Sequence, residues 1–177
     1  MKNHTPSLTK SNIVLIGMPG AGKSTVGVIL AKLTARAFVD TDLLIQTSQR
    51  RSLQRIVDSA GYMALRQIEE RIVLGLECER HVIATGGSAV YSTAALEHLS
   101  VDGIIVFLDA DLATLEARVR DFHTRGIALR PGQSFAELFT ERRHLYVKSA
   151  DLVIPCSGQT QENVCAAIIE GVQGLMV

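Results

Sequence analysis

The chain has 177 residues, 47% hydrophobic and 20% charged, enough for one domain that buries roughly two-thirds of its unfolded surface. That balance excludes a disordered chain. Eighteen Lys and Arg against eighteen Asp and Glu leave no basic surplus, which speaks against a nucleic-acid coat or a polybasic membrane contact.

Residues 1–10 are polar and read as a flexible tail without the apolar core of a signal peptide. Residues 11–177 read as a single domain, since no linker, repeat or low-complexity tract divides them. No apolar run is long enough to cross a bilayer. Cys78, Cys156 and Cys165 form no Cys-x-x-Cys pair, so idle thiols in a reducing, cytoplasmic compartment are expected.

The first apolar run, Ile13 to Ile16, ends at a glycine. Similar runs recur at 37–39, 81–84, 104–108 and 152–154. Their length and continuity suit strands buried on both faces of a parallel sheet. Between them, 25–33, 62–78, 112–120 and 163–172 carry apolar residues at three- and four-residue steps, which predicts helices. The alternation predicts an α/β fold whose ligands bind beyond the carboxyl ends of the strands. The connection over 120–134, with Gly126, Pro131 and Gly132, is long enough for a lid.

Directly after the first strand, Gly17-Met18-Pro19-Gly20-Ala21-Gly22-Lys23-Ser24-Thr25 fits Gly-x-x-x-x-Gly-Lys-Ser/Thr in a strand–turn–helix setting. Glycines let backbone N–H groups turn inward around phosphate oxygens, and the new helix adds its positive end. Gly20, Ala21, Gly22, Lys23, Ser24 and Thr25 are therefore expected to bind nucleotide. Lys23 would reach the β- and γ-phosphates and Ser24 would ligate Mg²⁺.

The second strand ends in Asp40-Thr41-Asp42, two carboxylates able to position a hydroxyl and hold Mg²⁺ through water, or simply to cap a helix. Arg66 and Glu69 are three apart on a predicted helix and can pair there. At a cleft, Arg66 could instead grip a carboxylate. The third strand runs into Thr85-Gly86-Gly87-Ser88, where paired glycines permit close backbone approach or a plain turn. From Arg118 to Arg130, four arginines face one acid, Asp121, an excess suited to a lid over triphosphate. The five histidines show no metal-ligand spacing.

Taken in this order, these features resemble the shikimate kinase family from Ile13 to about Val172. The resemblance implies a three-layer P-loop fold with a five-stranded parallel sheet of order 2-3-1-4-5, flanking helices and a mobile lid at about 121–134. It implies transfer of the γ-phosphoryl group of ATP, with Mg²⁺, to the 3-hydroxyl of shikimate in aromatic amino-acid biosynthesis. Within an acceptor region of about 40–80, Asp42 would hold hydroxyls. Asp40 would sit near Mg²⁺ and the reacting hydroxyl, whose proton it would take. Arg66, supported by Glu69, would hold the acceptor carboxylate.

Gly86 and Gly87 match two glycines of the family's triple-glycine motif, and Ser88 replaces the third. Glu141-Arg142-Arg143-His144-Leu145-Tyr146 looks like the family's Arg-x-x-Leu-Tyr helix, with Arg142 as second carboxylate-binding arginine and Arg143 as its competitor. The lid reads Arg130-Pro131-Gly132-Gln133 where the family has Arg-Pro-Leu-Leu. Arg130 would be the catalytic lid arginine, with Arg125 as rival, and Arg120 would stack on adenine. The 157–163 loop is placed like the family's adenine loop. A monomer is expected. Two readings stay beside this one: a kinase for another hydroxy acid such as gluconate, and a nucleotide-binding module without turnover.

Overall fold

The computed structural model describes residues 10–119 and 126–175. Five strands, β1 (Asn12–Ile16), β2 (Ala37–Asp40), β3 (His81–Ala84), β4 (Gly103–Asp109) and β5 (Leu152–Pro155), form one parallel sheet in the order β2-β3-β1-β4-β5. All five apolar runs are strands, within a residue or so of their sequence-based limits. β1 lies in the middle, paired with β3 and β4, and its five residues are buried. That burial is why it reads as an unbroken apolar run.

Among the described residues seven α-helices accompany the sheet: α1 (Lys23–Leu33), α2 (Thr41–Gln49), α3 (Leu53–Leu74), α4 (Thr93–Asp102), α5 (Leu112–Arg118), α6 (Phe135–Ser149) and α7 (Gln161–Gln173). Periodicity alone misses α2, α4, α6 and the start of α3, and only the family resemblance pointed to α6. The other three are marked instead by side-chain caps: Asp40 accepts from Asp42 N, Ser52 from Arg55 N, and Ser92 from Ala95 N. The predicted start of a helix at Tyr62 coincides with a break in α3 at Gly61, whose φ of 83° only glycine adopts without strain. No helix among the described residues is long and apolar enough to cross a membrane.

Two cores result. The main one lies between the sheet and its helices and includes Val14, Leu30, Phe107 and Ile168. A small second core of Ile45, Ile56, Leu65 and Ala128 holds α2 to α3. Its Ala128 lies within the expected lid segment, as does Gly126, whose N donates to Gln54 Oε1 at 2.7 Å. The described part of that connection is therefore docked on α2 and α3. Three free thiols remain, Cys156 and Cys165 buried and Cys78 half-buried.

Candidate active site

The turn after β1 folds as the sequence requires. Gly20 has φ of 86°, and a Cβ there would collide with Val119 at the end of α5. The phosphate loop thus packs against the segment leading to the expected lid. α1 starts behind Gly22 without a side-chain cap, whereas α2 to α7 are all capped by Asp, Ser or Thr. Its first N–H groups are left to an anion.

Lys23 is buried, and its Nζ donates to Gly17 O at 2.7 Å and Met18 O at 3.0 Å. Burial lowers its pKa to about 8, against the opposing pull of Asp42 and Asp40. Ser24 Oγ donates to Asp40 Oδ2 at 2.6 Å, while Asp40 Oδ1 accepts from Asp42 N at 2.9 Å. Asp40 therefore caps a helix and faces the phosphate loop at once. Ser24 and Asp40 offer hard oxygen donors at one point, a set that suits Mg²⁺ completed by phosphate oxygens and water. Among the described residues no group of three or more His, Cys, Asp or Glu is placed to hold a metal ion.

A cleft of about 720 Å³ runs from this loop past Asp40 and Asp42 to Glu69, Ser88 and Arg142. Its acceptor side is built from buried charge. Asp42 is pushed up to about 6 and Glu69 to about 7, in both cases chiefly because burial penalises the ionised form. Ser88 Oγ donates to Glu69 Oε2 in a short hydrogen bond, and Glu69 Oε1 is buried without a partner among the described residues. Gly86 N donates to Thr41 Oγ1 at 2.8 Å. A Cβ on Gly86 would collide with Glu69 Oε1 and Asp42 Oδ1, so glycine is what allows both carboxylates to approach the turn.

Arg142 and Tyr146 share one face of α6, as a four-residue step dictates. Arg142 is 1% exposed; its Nη2 donates to Ala128 O at 3.0 Å, and its Nε has no partner among the described residues. Tyr146 donates to Gly87 O at 2.6 Å and stacks on Phe107. Arg143 points elsewhere, into a two-pronged pair with Asp109 at 2.7 and 3.0 Å. Of the two competing arginines, Arg142 faces the cleft.

Arg66 and Glu69 do not pair. Glu69 turns to Ser88, while the Arg66 guanidinium lies 3.6 Å from the centroid of the Tyr91 ring. A three-residue step puts two side chains on adjoining faces, and here each has a nearer partner. Arg130 is bound by Glu141 on the surface and does not line the cleft, whereas Arg118 does, with Nη1 3.3 Å from Gly20 O. Gln161 also lines it, from the segment expected to meet adenine. Neither Arg118 nor Gln161 carries a motif, so only the arginine excess hinted at the former. Arg120 and Arg125 lie outside the described residues.

The family model described as shikimate kinase matches residues 19–173. A shikimate kinase of Rippkaea orientalis is 34% identical over 165 residues, covering 91% of this chain and 87% of its own length. One from Symbiobacterium thermophilum is 35% identical, covering 92% and 96%. A solved shikimate kinase from Acinetobacter baumannii, in complex with shikimate, superposes with a TM-score of 0.86 at 28% identity, covering 96% of this chain and 97% of that one. Sheet order, cleft and sequence agree, and the chain belongs to the shikimate kinase family.

Proposed function

We infer that this protein transfers the γ-phosphoryl group of ATP to the 3-hydroxyl of shikimate, giving shikimate 3-phosphate and ADP for aromatic amino-acid biosynthesis. The observation that carries the reading is one cleft joining a phosphate loop to two carboxylates and the buried Arg142, whose Nε has no partner among the described residues. ATP phosphates bind along Gly20 to Thr25, drawing Lys23 Nζ from the carbonyls of Gly17 and Met18. Ser24 and Asp40 would hold Mg²⁺, which would supply charge neutralisation when bound.

Arg66 and Arg142 take the acceptor carboxylate, and the turn at Gly86 and Gly87 lets the sugar-like ring approach the backbone. The acceptor hydroxyl oxygen bonds to the γ-phosphorus as the bond to the β–γ bridging oxygen breaks and ADP leaves. We assign its proton to Asp42 rather than Asp40. Asp40 caps α2 through Oδ1 and stands with Ser24 for the metal, whereas Asp42 has a pKa of about 6, near the operating range of a general base. Alignment and charge neutralisation supply the rest of the rate. Arg118 stands on the donor side, and Arg130 reaches transferring phosphate only after Glu141 releases it.

A coupled assay of ADP formation tests the assignment. Saturable, shikimate-dependent ADP release is expected, with gluconate inactive. Folded protein that forms no ADP with shikimate would overturn it.

A further inference from the structure

Arg66 is half-buried and is held in an unusual way for an arginine. Its guanidinium lies 3.6 Å from the centroid of Tyr91 and 5.2 Å from that of Tyr62, and Arg142 lies 5.3 Å from the same Tyr91 ring. Arg66 Nε and Nη2 and Arg142 Nε are buried with no hydrogen-bond partner among the described residues. Neither nearby acid bonds to Arg66, although one Glu69 oxygen, Oε1, has no partner among the described residues. Glu69 accepts from Ser88, and Glu141 Oε1 accepts from Tyr91 Oη at 2.6 Å. The other Glu141 oxygen takes Arg130 and, at 2.9 Å, Gln133 Nε2.

These contacts divide two tasks that a carboxylate partner would merge. An acid beside Arg66 would orient the guanidinium but occupy its N–H donors and cancel its charge, leaving less for an anionic ligand. An aromatic face attracts the cation through the ring quadrupole and leaves the donors free. The ring also offsets repulsion between two arginines near one another in a poorly solvated place. Its own position is secured from outside, because the Tyr91 hydroxyl is tied to Glu141 and hence to Arg130 and Gln133. Those two flank Pro131-Gly132, where the chain departs from the family's lid motif.

Building on the functional reading above, we propose that Tyr91 is a positioning residue for the acceptor carboxylate. Its ring orients Arg66 with free donors, and Glu141 ties the ring to Arg130 and Gln133 in the last part of the expected lid segment. Tyr91 makes no bond to the substrate. It acts through Arg66, so its influence is confined to acceptors that carry a carboxylate.

Steady-state kinetics of Tyr91→Leu and Tyr91→Phe, with shikimate and with its methyl ester, test this. Removal of the ring in Tyr91→Leu should raise the KM for shikimate about tenfold and leave the KM for ATP unchanged. Tyr91→Phe keeps the ring and should stay within about threefold of wild type. With the methyl ester, which offers no carboxylate, the difference between wild type and Tyr91→Leu should vanish. Tyr91→Gln, suited to a half-exposed site, replaces the leucine variant if that one does not fold. An unmoved KM in the ring-less variant, or an equal rise with the ester, overturns the proposal. Wild-type protein that fails to turn over shikimate would instead overturn the functional reading on which it rests.

Discussion

The two halves of the cleft are built by different means. The donor half is local and made of backbone: residues 17–25 supply the loop, the uncapped helix start and Lys23. The acceptor half is assembled from the end of β2, the middle of α3, the turn after β3 and one face of α6, and its working groups are side chains. Backbone N–H groups need no partner elsewhere to stay aimed. Buried carboxylates and guanidiniums do, because each costs desolvation energy unless neighbours compensate. The acceptor half therefore carries supports that the donor half lacks: Ser88 on Glu69, Tyr91 on Arg66, Tyr146 on the Gly87 carbonyl.

This contrast can be broken in order of effect. Lys23→Ala removes the side chain expected to reach the phosphates, and kcat should fall by about 10²–10³-fold. Shikimate affinity, measured by calorimetry, should stay within about twofold, since Lys23 serves the phosphates. A comparable loss of shikimate affinity would show the halves to be one unit.

Gly86→Ala probes the acceptor half, because the added methyl meets Glu69 and Asp42 together. Overpacking of this kind costs about 1–3 kcal/mol, so the KM for shikimate should rise about tenfold or more, with the KM for ATP little changed. An unaltered KM for shikimate would mean the turn yields without disturbing the carboxylates.

Glu69→Gln tests the cost of buried charge through stability. Glu69 titrates at about 7 in the fold against an ordinary 4.5, mainly from burial. A raised acid favours the folded state when protonated. That contribution is fully present below about 4.5 and is lost as pH rises through about 7. Glutamine stays neutral throughout. The variant should melt with wild type near pH 4 and above it at pH 8, by on the order of 10 °C. Parallel melting curves across this range would show that Glu69 carries no such burden.

Much of the architecture was legible in the residues. The five strands follow from continuous apolar runs, and the phosphate loop follows from its motif in context. The triple Asp40-Thr41-Asp42 was readable as either cap or ligand, and Asp40 turns out to be engaged in both directions. Arg142 could be chosen over Arg143 only once α6 was seen to bury one and pair the other with Asp109. Arg66 and Glu69 show the limit of local spacing. Three residues apart allows a pair, yet Ser88 and Tyr91, distant in sequence, are nearer in space.

The sequence by itself determined the sheet, the donor loop and, through the resemblance it carries, the chemistry, because backbone periodicity and a glycine-rich turn are written in consecutive residues. Only the tertiary structure decided which acid stands beside which base. Partners in a buried polar wall are chosen by the crossing of elements that lie far apart in the chain. The net charge of zero is thus divided around the cleft, with Arg66 stacked on an aromatic ring beside it and carboxylates in its wall held by a serine and a close glycine turn.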